Sequence, residues 1–128
     1  MKDSLQVGAT HSETIEIDKG RTISFMGDDL RVYATPSMTL DVEHTCRQLM
    51  LAHHDEGEDS VGARIEVDHL GPTLEGQKVV VEAKVIEVAL PRVVFEVSVN
   101  DELDQVGQSK HVRFVVDNQG TFLSHCVI

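Results

Sequence analysis

Three residues of this 128-residue chain have the chemistry and the placement to act on a substrate: Thr35, Glu43 and His69. A carboxylate and an imidazole in one partly desolvated cleft shift each other's protonation, as proton transfer near neutral pH requires. A hydroxyl beside them can hold either group in place. Each residue also has a plain structural explanation. Thr35 precedes Pro36 and reads as a helix N-cap with proline at the first helical position. Glu43 sits at the edge of an apolar helical stripe, where carboxylates are ordinarily solvated. His69 follows the alternating run Val61, Ala63, Ile65, Val67 on the same strand face, just before Gly71-Pro72. A backbone group could satisfy a strand-end histidine there. It is the conjunction of the three that points to acid–base chemistry.

Two more residues bear on that chemistry. Gly62, inside the same strand pattern, marks a bulge or a close backbone approach, and without a Cβ its N–H can come near a ligand. Arg113 falls by strict alternation on a polar face with His111, opposite Val112 and Phe114. It is then a surface arginine or half of an ion pair, unless a bulge at Gly107 turns it into a pocket. The remaining candidates are weaker. His44, His53 and His54 lack the i, i+4 spacing of helical metal ligands, and His125 reads as solvated. Cys46 and Cys126 have no metal or redox spacing, and neither a G-x-S-x-G elbow nor a P-loop is present. No metal and no cofactor are implied.

These residues need elements to position them. Residues 35–54 make the one long helix, with Met38, Val42, then Cys46 or Leu49, and His53 on its apolar stripe. Short alternating segments precede it: residues 13–17, and 20–30 ending in a Gly-Asp turn. After it the chain is strand-like. Val79, Val81, Ala83 and Val85 share one face, as do Val93, Phe95, Val97 and Val99, with a turn at Leu90-Pro91 between them. Residues 104–117 form another strand with Val112, Phe114 and Val116 on its apolar face, and a turn at 118–120 leads to a short terminal segment. Long consecutive strands with tight turns favour an antiparallel sheet, and one early helix must cover its apolar face. The fold class is α+β, a sheet wrapped around one central helix.

Length and composition set the outer bounds. The chain reads as one domain, residues 1–128, whose core is aliphatic because aromatics are only 4% and Trp is absent. A formal net charge of -11 disfavours a nucleic-acid partner, since phosphate neutralisation needs Lys and Arg. No apolar run approaches the roughly 20 residues that span a bilayer, and residues 1–10 show no signal-peptide core. A cytoplasmic location with free thiols is expected.

The segments VYATPSMTLDVEH, SVGARIEVDH and VGQSKHVRFVV resemble the fluoroacetyl-CoA thioesterase family of hot-dog proteins. That family's Thr before the helix matches Thr35, its helical Glu matches Glu43, and its strand Gly and His match Gly62 and His69. Its late Arg matches Arg113, and the intervals between these matches agree. The resemblance, over roughly residues 30–117, implies a hot-dog fold and a homodimer, or a tetramer built from it, joined sheet edge to sheet edge. It implies an active site at that interface and hydrolysis of an acyl-CoA by a Thr–Glu–His set, coenzyme A entering only as part of the substrate. Glu43 would be general base or nucleophile, Thr35 its orienting hydroxyl and His69 the group that polarises the thioester or shuttles a proton. Gly62 and Arg113 would bind substrate. The chain departs from the family ahead of Thr35, where Gly27, Asp28 and Asp29 stand in place of a Phe-bearing lid, so the acyl group stays open. Besides a purely structural dimer, two other outcomes fit the same scaffold. One is a module that binds acyl-CoA or a small carboxylate without turnover. The other is hydration of an enoyl thioester, for which the spaced His/Asp pair is missing.

Overall fold

In the computed structural model, which describes residues 1–117 and 119, β1 (Thr10–Glu16) leads through a 3-10 turn (Lys19–Arg21) to β2 (Thr22–Ile23) and β3 (Val32–Tyr33). The helix α1 (Thr35–Leu51) follows, then β4 (Asp59–His69), β5 (Lys78–Ala89), β6 (Arg92–Asn100) and β7 (Gln105–Val116). The five long strands form one antiparallel sheet in the order β1-β5-β6-β7-β4, and β2 pairs only with β3. α1 packs against β4, β5, β1 and β7, which gives the α+β arrangement expected from the sequence. Among the described residues no helix is long and apolar enough to cross a membrane. The expected turn at 118–120, His125 and Cys126 lie wholly or mostly outside the described residues.

The core is aliphatic. Met38, Val42, Cys46 and Leu49 of α1 meet Val79, Val81, Ala83 and Val85 of β5 and Val93, Phe95, Val97 and Val99 of β6, all essentially inaccessible. Each buried side chain of the Val or Leu class contributes about 1.5–3 kcal/mol, so the helix is seated by its stripe. Burial also holds the Cys46 thiol protonated, its pKa pushed up to about 12.

Three sequence expectations need correcting. First, Thr35 is not the N-cap. Ala34 holds that position in extended conformation, and its carbonyl accepts the first helical bond from Met38 N at 3.0 Å. Thr35 is the first helical residue, so its hydroxyl is free to point elsewhere. Second, the helix stops at Leu51, leaving His53 and His54 in the loop beyond it. His53 meets Ser4 Oγ at 2.7 Å, and His54 is the buried one of the pair.

Third, alternation assigned two strand faces wrongly. In β4 the pairing with β7 shifts between Gly62 and Arg64, so Ala63 is an extra residue and the side chains change face there. Ser60 and Gly62 point inward before the bulge, and Ile65, Val67 and His69 after it. Val61, expected on the oily face, is 44% exposed. In β7 the inward set is Gly107, Ser109, His111, Arg113 and Val115, not Val112, Phe114 and Val116. The outer face carries buried residues too, with Val112 at 5% and Val116 at 7% exposure, so periodicity alone could not tell which face meets the helix.

Candidate active site

The structure gathers the candidates into two clusters at opposite ends of β4. At its C-terminal end, Thr35 Oγ1 and His69 Nδ1 lie 2.8 Å apart. His69 Nε2 is buried with no hydrogen-bond partner among the described residues. Burial lowers the His69 pKa below the ordinary histidine value, more than the Gly71 backbone raises it, so the ring is neutral at pH 7. Its wall is Tyr33, edge-on at 6.1 Å between ring centroids. A depression of about 410 Å³, lined by Ile23, Val32, Tyr33, Leu70 and Pro72 along with Thr35 and His69, opens here. Thr35 and His69 thus border a largely apolar depression.

Tyr33 is itself fixed. Its hydroxyl donates to Asp41 Oδ2 at 2.5 Å, and the same carboxylate takes Arg21 Nε at 3.0 Å. Burial, then the Asp41 carboxylate, raise the Tyr33 pKa far above the normal phenol range, so it is only ever a donor here. The sequence reading missed this Arg21–Asp41–Tyr33 chain. Its one available signal was Asp41 next to Val42 on the helix, a carboxylate beside a core position.

The second cluster lies at the bulge. A Cβ built on Gly62 would meet His111 Cε1 at 3.3 Å, Glu43 Oε2 at 3.5 Å and Arg113 Nη1 at 3.7 Å. Gly62 is therefore a point of close approach, and Glu43, half-buried, turns toward β4 rather than to open solvent. Arg113 is 4% exposed. Its Nε donates to Ser60 Oγ at 2.8 Å, its Nη2 to Ser60 O at 2.8 Å, and its Nη1 to His111 Nε2 at 3.2 Å. The surface reading of Arg113 is thus replaced by a buried one. His111 and Ser60 were not singled out by the sequence.

Within one chain the two clusters stay apart. The Glu43 carboxylate is at the level of Gly62, seven residues from His69, which is roughly 20 Å along a strand at about 3.3 Å per residue. Among the described residues, no strand pairs with the edge of β4 opposite β7. Two further hollows, of about 320 and 360 Å³, lie on the outer sheet face among Glu66, Glu82, Lys84, Glu96 and Lys110. They hold cross-strand charge rows and, among the described residues, no buried polar side chain without a partner. Among the described residues no three His, Cys, Asp or Glu side chains converge as metal ligands.

Comparison with known proteins adds a second line. The family model described as "Fluoroacetyl-CoA-specific thioesterase" matches residues 17–119. The fluoroacetyl-CoA thioesterase of Streptantibioticus cattleyicolor is 28% identical over 123 residues, covering 91% of this chain and 88% of that one. A mutant of the fluoroacetyl-CoA-specific thioesterase, solved with fluoroacetate and CoA, superposes with a TM-score of 0.81 at 26% identity, over 90% of this chain and 98% of that one. A hot-dog-like protein from Thermanaerovibrio acidaminovorans, at 24% identity and a TM-score of 0.80, covers 88% of this chain and 84% of its own, and supports the fold alone.

Proposed function

Because the chain belongs to the fluoroacetyl-CoA-specific thioesterase family and has its hot-dog fold, we propose that it hydrolyses the thioester of a small acyl-CoA. The observation that carries this is the Thr35–His69 pair: hydroxyl and imidazole lie 2.8 Å apart, burial keeps the ring neutral, and both residues line a largely apolar depression. Hydrolysis adds water to the thioester carbonyl, directly or after a carboxylate has displaced the thiolate to form a mixed anhydride that water then cleaves. The oxyanion is held at each addition, and the coenzyme A thiolate leaves and takes up a proton. The exposed Thr35 hydroxyl and the His69 imidazole beside it line the depression and are the donors nearest a carbonyl oxygen or leaving sulfur seated there. Glu43 is the group to activate water, or to attack the carbonyl directly. Gly62 leaves space beside that carboxylate, and Arg113 supplies a buried positive charge behind it.

The separation of the clusters bears on how they meet. Two β4 strands joined antiparallel through their free edges, about a two-fold axis, set the Gly62 end of one against the His69 end of the other. Glu43 of one chain then faces the partner's Thr35 and the partner's His69. A homodimer with two composite sites follows, each needing both chains.

Thiol release from a panel of short, branched and aryl acyl-CoAs tests the activity. Glu43→Ala and His69→Ala each lower kcat/KM by about 100-fold or more, the usual range for a positioned acid or base. Variants within a few-fold of wild type contradict the assignment. The rival, binding without turnover, draws on the separation of Glu43 from His69 within one chain; calorimetric acyl-CoA binding with no thiol release by the wild type would select it.

A further inference from the structure

His111 lies outside the set that the sequence points to, yet it is almost fully enclosed beside the Gly62–Glu43 contact, at 1% exposure. Its surroundings define its hydrogens. Nδ1 is 2.8 Å from the Arg64 carbonyl oxygen, which only accepts, so Nδ1 carries the proton. Nε2 is 3.2 Å from Arg113 Nη1, which only donates, so Nε2 presents its lone pair. The ring is neutral and in one tautomer. It is clamped in plane as well, stacked on Phe95 with centroids 6.4 Å apart and facing Gly62, where a methyl would come within 3.3 Å of Cε1.

Arg113 is a buried cation whose three hydrogen bonds all go to neutral acceptors, two on Ser60 and one on His111. Its charge is not discharged into a hydrogen-bonded carboxylate, and its Nη1 lies near Glu43 Oε2, the two being 3.7 and 3.5 Å from the same Cβ position at Gly62. A guanidinium on a long side chain keeps that aim only if its fork is held from both sides. Ser60 holds one side, before the bulge. His111 holds the other, and the Arg64 carbonyl that fixes the tautomer of His111 belongs to the residue just past the bulge.

Building on the thioesterase reading, we propose that His111 is a positioning residue: it fixes the Arg113 guanidinium beside Glu43, and the β4 bulge sets it for that task. His111 touches neither substrate nor reacting atoms. Its effect passes through Arg113.

The test separates the two ring nitrogens. His111→Gln keeps a polar group at the Nε2 position; His111→Asn keeps only the one at the Nδ1 position. Asn lowers kcat about tenfold or more with KM changed less than about threefold, while Gln stays within about threefold of wild type, as the loss or retention of one charge-assisted hydrogen bond implies. Ser60→Ala, nearly isosteric and so safe to fold, loosens the opposite side and lowers kcat in the same way. In a double-mutant cycle, His111→Asn adds less than about twofold once Arg113→Lys is present. Equal losses for Asn and Gln, or effects that multiply fully with Arg113→Lys, overturn the proposal. Nitrogen NMR of the wild-type imidazole is independent of turnover: an Nδ1–H tautomer for His111 supports the proposal and an Nε2–H tautomer overturns it. A wild type that releases no thiol but shows the Nδ1–H tautomer refutes the thioesterase reading and not the geometry.

Discussion

Gly107→Ala isolates the contact that seats the start of α1 beside the candidate site. Gly107 pairs with His69 across β4 and β7, and its missing Cβ is where Met38 sits. A methyl carbon there would lie 2.6 Å from Met38 Sδ, 3.0 Å from Met38 Cε and 3.2 Å from Val99 Cβ. Non-bonded carbons settle at about 3.5–4.0 Å, so the overlap with the thioether is roughly 1 Å. A methionine tip yields cheaply when it can swing into solvent. Met38 is 0% exposed, so it must displace packed neighbours or lift the first helical turn. Overpacking of this kind costs about 1–3 kcal/mol, equivalent to roughly 5–10 °C in Tm for a chain of this size. Met38 lies three residues after Thr35, and so the strain also reaches the Thr35–His69 hydrogen bond. Thermal and urea unfolding read the first effect and thiol release the second. Met38→Ala makes room, so the double variant should lose clearly less stability than the two single losses combined. Additive losses, or a Gly107→Ala protein with wild-type Tm and turnover, would refute the claim that this contact seats the helix.

Other predictions follow from single contacts. Thr35→Val keeps the shape and removes the hydroxyl that holds His69; kcat falls about tenfold or more with Tm within a few degrees, because the site is open enough for water to take its place. Unchanged kinetics would leave Thr35 with no part in holding the imidazole. Asp41→Asn removes the charge shared by Tyr33 and Arg21 and costs about 1.5–3 kcal/mol in urea unfolding; a neutral result would make that chain ornamental to the fold. His54, His69 and His111 all have folded-state pKa values below the ordinary histidine value of 6.5, chiefly through burial. The unfolded chain therefore binds more protons near pH 6. Their contribution is complete above pH 6.5 and is lost as pH falls from there through the folded values. Relief of the repulsion from a net charge of -11 acts the other way on acidification, so the difference between proteins is the readout. Between pH 7.5 and 5.5 the urea midpoint of His111→Gln should fall less than that of wild type, and an equal or steeper fall would contradict the buried neutral imidazole.

The fold was legible because its strongest signals are long-range in sequence and simple in pattern. The β5 and β6 alternations and the Met38–Val42–Cys46 stripe each name a single buried face, and the structure buries those faces. The site was legible in residue type and blurred in geometry. Thr35 looked like a cap because Ser and Thr before a helix usually are, and only the position of His69 diverts its hydroxyl. The β4 bulge inserts Ala63 without a sequence signal beyond Gly62, so the phase of Val61 could not be read from alternation. Alternation puts His111 and Arg113 on the wet side of a strand beside Val112 and Phe114, and leaves a pocket position for Arg113 open only through a bulge at Gly107. The pairing with β4 turns that face inward, where Ser60 takes two hydrogen bonds from Arg113, and such long-range pairing is set by tertiary structure.

Mixing two inactive proteins tests the composite site most directly. Glu43→Ala and His69→Ala chains, dissociated together and allowed to reassemble, form hybrid dimers in about half of the cases. In each hybrid, one site regains an intact Glu43 from one chain and an intact Thr35–His69 pair from the other, while its twin carries both lesions. Thiol release should therefore recover to about a quarter of the wild-type rate. Recovery that stays at the level of the separate variants, with hybrid formation verified by mass, would contradict a site shared between two chains.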